Sequence, residues 1–349
     1  MILAAQTERL LALFRAAGAL QVDPGVLLPA DVMLDLYGED IRSRAYLTHD
    51  PVLGELMLRP DFTVPVVQMQ MEHGAEPARY CYAGPVWRQG VAESVQVGIE
   101  VFDGSDVAAA DAEVFALVAG AVGPMACMTG DLGIALAAIS GLRTSEKRKA
   151  ALRRHLWRPV RFQRLLERYS FQGPARKFAV SSAKVIGLRG ADEIAARLAV
   201  LAEDAAAQPL ADEQVGFLAR VLAVREASSV ALAELRGLGG LSAALDRFEA
   251  RLEALARRGI GDLPFDASYG RAAMEYYDGF VFEFSRGDVS VAQGGRYDAM
   301  TRVLGGGKGI PAVGAIVRPE ALTDALQAKV GTGFADRKAS KQTAEVTRL

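Results

Sequence analysis

The segment Leu58-Arg-Pro-Asp-Phe-Thr63 places a carboxylate, Asp61, two residues before a hydroxyl, Thr63. Further along, Gln96 and Glu100 stand four residues apart in a stretch of strand character, so their side chains share one face. A polar pair on a face that its neighbours turn towards the core needs a partner, because an unpaired buried carboxylate is costly. Together the two segments supply acceptors suited to an ammonium or an imidazole N–H. The same residues would also serve as the polar surface of an antiparallel sheet, and their types and spacing leave both readings open.

Other chemistry is poorly supplied. Two cysteines, Cys81 and Cys127, are too few for a disulfide framework or a cysteine-based zinc site. Three histidines, His49, His73 and His155, are too scattered for a histidine-rich metal centre. The run Leu304-Gly-Gly-Gly-Lys-Gly-Ile310 lacks the first glycine, the Ser or Thr and the strand–helix setting of a phosphate loop, so it reads as a turn. Residues 143–168 carry ten Lys or Arg against two Glu in a chain of net charge −2. With only Trp157 and Phe162 available to stack on bases, that segment reads as a solvated face or a surface for an acidic protein. Nucleic acid is not an expected partner, and neither a metal nor a cofactor is expected.

Three hundred and forty-nine residues, 51% hydrophobic and 23% charged, describe a folded chain of one large domain or two. The first residues, MILAAQTERLLALF, lack the basic-then-apolar order of a targeting signal. The longest uncharged run, Val114 to Gly130, is 17 residues and is broken by Gly120, Gly123 and Pro124. That is short of the ~20 apolar residues a membrane helix requires. The expected location is cytoplasmic.

These residues need a frame. Leu10, Leu11, Leu13 and Phe14 fall at helical spacing over 7–17. Short strand-like segments follow at 55–59, 79–83 and 95–101, then a helix at 111–119 and a core strand at 125–129. From 142 to 259 the texture is rich in Ala, Leu, Arg and Glu and predicts helices at 146–156, 161–168, 192–205, 211–226, 230–235 and 241–257. Strand texture returns at 277–284, 288–292 and 312–317. Strands that bracket a helical block predict an α+β protein, with one sheet domain (1–142 and 260–328) carrying a helical insertion (143–259). Residues 329–349 are polar and aperiodic and read as a disordered tail.

Six of these segments, taken in order, resemble the catalytic domain of histidyl-tRNA synthetase. They are Leu58-Arg-Pro-Asp-Phe-Thr63, Arg79-Tyr-Cys-Tyr-Ala-Gly-Pro-Val-Trp-Arg88, Gln96-Val-Gly-Ile-Glu-Val-Phe102, Glu275-Tyr-Tyr-Asp-Gly-Phe-Val-Phe-Glu283, Gly294-Gly-Arg-Tyr-Asp298 and Ile310-Pro-Ala-Val-Gly314. The resemblance spans roughly 7–142 and 265–325 and implies the class II aminoacyl-tRNA synthetase fold, a mostly antiparallel sheet flanked by helices. It implies that Asp61 (for the family's Glu) and Thr63 hold a histidine ammonium, that Gln96 lies beside the α-carbon groups, and that Glu100 and Tyr277 contact the imidazole. Arg88 matches the arginine that touches the ATP α-phosphate, and Pro29 the proline of a dimer interface.

Departures fall on the nucleotide side. The family's catalytic arginine position is Ala272, with Arg271 one residue off register, and its adenine-stacking arginine falls at Ala321. Gly90 replaces a Glu, Arg318 and Pro319 crowd the nucleotide, and the loop at 91–95 is too short to wrap ATP. Only 27 residues follow Leu322, which leaves no room for an anticodon-binding domain. Each phosphate-binding cation is commonly worth about 10²–10³ in rate, so the loss of two is incompatible with synthetase turnover. The pattern resembles the regulatory-subunit family of ATP phosphoribosyltransferase, the enzyme that opens histidine biosynthesis. That resemblance implies no catalysis by this chain, a short-form catalytic subunit as partner in a hetero-octamer, a homodimer as assembly unit, and histidine as effector. A truncated histidyl-tRNA synthetase or an amino-acid-activating ligase is the alternative.

Overall fold

The computed structural model describes residues 2–37, 39–171, 190–271 and 276–327. Helix α1 (Ile2–Ala16) buries Leu10, Leu11 and Phe14, the stripe that their spacing predicts, and ends before Gly18 at φ +85°. Strand β1 (Leu20–Gln21) then runs parallel to β5 (Ala78–Arg88) at one edge of the main sheet. A small antiparallel sheet follows, in the order β2 (Leu27–Pro29), β4 (Gly54–Leu58), β3 (Leu47–Asp50). Helix α2 (Ala30–Tyr37) and a 3₁₀ turn (Glu39–Ser43) connect β2 to β3.

The main sheet has nine strands. After β1 and β5 come β6 (Ala92–Phe102), β12 (Ala312–Val317), β11 (Val289–Arg296), β10 (Phe280–Arg286), β7 (Ala126–Asp131), β9 (Pro264–Asp266) and β8 (Arg225–Ala227). The β1–β5 and β7–β9 pairs are parallel and every other neighbouring pair is antiparallel. This is the α+β arrangement that the sequence predicts.

Alternation decides which side chain goes where. Val97, Ile99 and Val101 of β6 join Val313 and Val317 of β12 and Phe280, Phe282 and Phe284 of β10 in a core beneath α1 and α4 (Val107–Val122). The intervening residues, Gln96, Gly98 and Glu100 among them, face the opposite side. There lie α3 (Thr63–His73) and α12 (Asp298–Leu304), which pack against each other.

The helical stretch shares the core on that second face. Helix α5 (Leu132–Ser140) is capped by Asp131 and α6 (Glu146–Arg154) by Ser145; α7 (Pro159–Ser170) opens on a proline. Next come α8 (Ala191–Ala206), α9 (Asp212–Ala223), α10 (Ser228–Leu238) and α11 (Ser242–Arg257). Leu152, Phe162, Leu218, Leu235 and Phe248 belong to one cluster with Phe265 and Val281 of the sheet. The predicted helix at 211–226 stops at Ala223. Arg225–Ala227 instead forms strand β8 on the free edge of β9, where Arg225 grips Asp266 and the amide of Ala267 donates to the carbonyl of Val224. The unsatisfied backbone of an edge strand outweighs helix propensity here.

A buried ion network ties α11 to the sheet domain. Arg251 donates to Asp131 at 2.6 Å and reaches Asp111 of α4 at 3.5 Å, and Arg296 of β11 holds Asp111 at 2.7 Å. The predicted disordered tail, 329–349, lies outside the described residues, as does Ala272.

Candidate functional site

Glycines on the inner face of the sheet let large side chains lie flat on it. A Cβ on Gly314 would sit 1.5 Å from Glu100 Oε2, and one on Gly295 would sit 2.7 Å from Tyr277 Cδ1. At Gly98 the clash would be with Tyr82 Oη, at 2.3 Å, and at Gly130 with Tyr269 Cβ, at 2.8 Å. Gly314, Gly295 and Gly98 therefore clear the space in which Glu100, Tyr277 and Tyr82 meet.

Glu100 is 1% exposed, and among the described residues its bonded partners are hydroxyls rather than cations. Its Oε1 accepts from Thr63 Oγ1 at 2.9 Å and Tyr82 Oη at 2.8 Å, and its Oε2 accepts from Tyr297 Oη at 2.5 Å. Burial pushes its pKa up and the three hydroxyl donors pull it down; the balance leaves it at about 7. The carboxylate is thus poised to accept a proton or an N–H. Its donors come from β5, the start of α3 and the end of β11, 18, 37 and 197 residues away in sequence.

Asp61 and Thr63 lie at the entry to α3, both buried, and Asp61 accepts from the amide of Val64 at 3.3 Å. Burial first, and the charge of Asp61 after it, raises the pKa of Glu100 and of Tyr276, so both groups feel the same carboxylate. Gln96 is 3% exposed and, among the described residues, its Oε1 has no hydrogen-bond partner. A buried amide oxygen left open on this face is an acceptor awaiting a ligand donor or a water. Tyr277 packs on Tyr276 at 4.6 Å and on Tyr297 at 6.3 Å between ring centres. The structure thus brings Asp61, Thr63, Gln96, Glu100 and Tyr277 to one face. It adds Tyr82, Tyr276 and Tyr297, which sequence reasoning did not single out. Strand alternation and hairpin register held the signal for Tyr82, which pairs with Gly98 one row from Glu100.

The other end of the face is cationic. Arg88, at the end of β5, donates to the carbonyl of Pro60 at 2.9 Å. The turn after it is shorter than the sequence suggests. Residues 92–95 already belong to β6, so only Gln89, Gly90 and Val91 remain as a loop, with Gly90 at φ +78°. Arg318 stands beside this arginine, held by Ser290 Oγ at 2.9 Å and Gln293 Oε1 at 3.0 Å. Burial and then the charge of Arg88 lower its pKa. Arg271 points elsewhere: its Nε donates to the carbonyl of Leu156 and its guanidinium covers the ring of Phe162. It anchors the turn between α6 and α7 and takes no part in the site. Ala321 packs against the core beneath α1 and α4.

The basic segment divides in two. Arg148 is buried on Asp204, Lys147 pairs with Glu203, and Arg168 with Asp204, so part of the charge is neutralised by α8. Arg158, Arg161 and Arg164 line a groove of about 540 Å³ with Val160 and Leu165. Among the described residues no group of three or more His, Cys, Asp or Glu is placed to hold a metal ion. No described helix is long and apolar enough to cross a membrane.

Comparison with known proteins gives the same outline. The family profile described as histidyl-tRNA synthetase matches residues 3–239 and 192–322. The ATP phosphoribosyltransferase regulatory subunit of Brucella ovis is 31% identical over 370 aligned positions, covering 89% of this chain and 93% of that protein. The Brucella abortus protein of the same description is also 31% identical, covering 89% and 92%. The chain belongs to the ATP phosphoribosyltransferase regulatory subunit family, within the histidyl-tRNA synthetase-like proteins. Its fold is similar to that of a Bacillus halodurans protein described as an ATP phosphoribosyltransferase regulatory subunit/histidyl-tRNA synthetase. The TM-score is 0.69 at 22% identity, over 98% of this chain and 86% of that one. A histidine–tRNA ligase subunit of Alicyclobacillus acidocaldarius superposes with a TM-score of 0.60 at 24% identity, over 93% and 94%. The class II synthetase-like fold expected of the sequence is therefore the fold of its relatives.

Proposed function

We propose that this chain is the non-catalytic regulatory subunit of ATP phosphoribosyltransferase, needed for the activity of a short catalytic subunit at the first step of histidine biosynthesis. It binds free histidine at Asp61, Thr63, Gln96, Glu100 and Tyr277 and passes that occupancy to its partner. One observation carries the reading: the half of the face suited to histidine is furnished, and the half that would hold a nucleotide is not. Glu100 keeps three hydroxyl donors and Gln96 an open acceptor. On the other side Arg318 stands beside Arg88, Ala321 is core, and a three-residue turn stands where a nucleotide-wrapping loop would be needed. The assembly is a hetero-octamer built on homodimers of this chain, in the cytoplasm.

Histidine can regulate the assembly only if its two states bind it with different affinity. Co-expression with the short catalytic subunit, co-purification and assay of phosphoribosyl-ATP formation test the proposal. The expected result is activity in the complex, inhibition by histidine, and loss of that inhibition in Glu100→Ala. Unchanged inhibition in Glu100→Ala would move the effector site elsewhere. Histidine-dependent ATP–pyrophosphate exchange by the isolated chain would restore the synthetase or ligase alternative.

A further inference from the structure

Residues on β12 that face the pocket alternate as Gly314, Ile316 and then Arg318, one step beyond the strand. Val317 pairs with Val97, so continuing the register sets Arg318 beside Gln96, whose Oε1 is buried and unpartnered. The guanidinium is fixed by three neutral acceptors, Ser290 Oγ at 2.9 Å, Gln293 Oε1 at 3.0 Å and the carbonyl of Ser290 at 3.4 Å, which orient its charge without cancelling it. Among the described residues no carboxylate lies within ion-pair distance of it. Among the described residues the acid that acts on it is Glu283, which itself accepts from the hydroxyl of Tyr269. Arg88 is likewise tethered to a neutral group, the carbonyl of Pro60. Two guanidiniums held close by uncharged partners repel one another, and an anion between them relieves both. Glu100 stands four residues along β6 from Gln96, and Asp61 directly follows Pro60, whose carbonyl Arg88 holds.

We propose that Arg318, backed by Arg88, receives the α-carboxylate of the bound amino acid, so that the pocket recognises a zwitterion with its ring towards Glu100, its ammonium on Asp61 and its carboxylate on the two arginines. This rests on the pocket reading above and adds a residue to it. Arg318 is then a specificity determinant that distinguishes a free amino acid from its decarboxylated amine.

Calorimetry on the full chain with L-histidine and with histamine, which keeps the imidazole and ammonium and lacks the carboxylate, tests this. The wild type is expected to favour histidine by about tenfold or more, the scale of a charge-assisted hydrogen bond. Arg318→Gln, which can still bond Ser290 and Gln293, should bring the two affinities together by weakening histidine alone. Arg318→Lys keeps the charge and loses the fork, so it should fall between the two and decides the matter if Arg318→Gln does not fold. Undiminished discrimination in either variant overturns the proposal. If Glu100→Gln binds histidine as the wild type does, or if the wild type binds neither compound, the pocket reading itself fails. Displacement of histidine by inorganic phosphate at lower concentration than by acetate would reassign the arginine pair to a phosphate and also overturn the proposal.

Discussion

Burial, opposed by three hydroxyl donors and helped by the charge of Asp61, leaves Glu100 titrating at about 7, well above its ordinary 4.5. A carboxyl group whose pKa rises on folding contributes stability that is fully present below the unfolded value. That contribution fades as pH climbs through the folded value. Between pH 4.5 and just above 7 the wild type should therefore lose up to about 3 kcal/mol relative to Glu100→Gln, whose amide carries no charge to desolvate. Thermal unfolding of both proteins at pH 5 and pH 8 checks this. The melting temperature of Glu100→Gln relative to wild type should rise over that interval, and a flat difference would contradict the shift. Asp278, also raised to about 7, is present in both proteins and cancels.

At the scale of elements, α11 is joined to the sheet domain by charge as well as by apolar contact. Arg251 is 4% exposed and holds Asp131, the cap of α5, while reaching Asp111 of α4. Removing one member of a buried ion set strands its partners and costs about 3–5 kcal/mol. Arg251→Ala should lower unfolding stability by that amount in urea titration, while Arg257→Ala, on the exposed face of the same helix, should stay within about 0.5 kcal/mol. Helix α7 offers the opposite case. Arg161 and Arg164 are exposed along the groove, and Arg161, with Arg158 and Arg154, lowers the pKa of His155 after its burial. Reversing both, as Arg161→Glu with Arg164→Glu, should leave melting unchanged and weaken co-purification with the catalytic subunit, most clearly at low salt. Salt-sensitive tRNA binding abolished by the same pair would make this a nucleic-acid face instead.

At the scale of the whole molecule, apolar exposure is uneven. Of the sixteen exposed large apolar side chains recorded among the described residues, six lie between Val26 and Leu53, on or beside the small sheet that carries Pro29. Such a concentration has the character of an interaction surface. A homodimer through this sheet should be seen by light scattering at micromolar concentration, and Leu27→Asp should shift it to monomer with melting of the protomer unchanged. A wild type that is already monomeric at that concentration would contradict the assignment.

Periodicity and spacing determined most of the elements and the face that Gln96 and Glu100 share. The stripe Leu10, Leu11, Phe14 became α1, alternation at 95–101 became β6, and the four-residue gap between Gln96 and Glu100 became a shared inner face. These are local properties, fixed by the 3.6- and two-residue repeats of the backbone. What the chain does with its partners was decided only by packing. Tyr82 and Tyr297 reach Glu100 from 18 and 197 residues away, and the pKa of that carboxylate follows from burial that no local window records. Arg271, one residue from the position where a catalytic arginine would be sought, spends its charge on Leu156 and Phe162. Arg318 reads in sequence as an obstruction, yet the structure holds it with neutral partners beside a second arginine. The helix expected at 211–226 yielded its last turn to strand β8 because the edge of β9 had backbone groups to satisfy. In each case the deciding energy belongs to a contact between residues far apart in the chain, and only the folded structure brings them together.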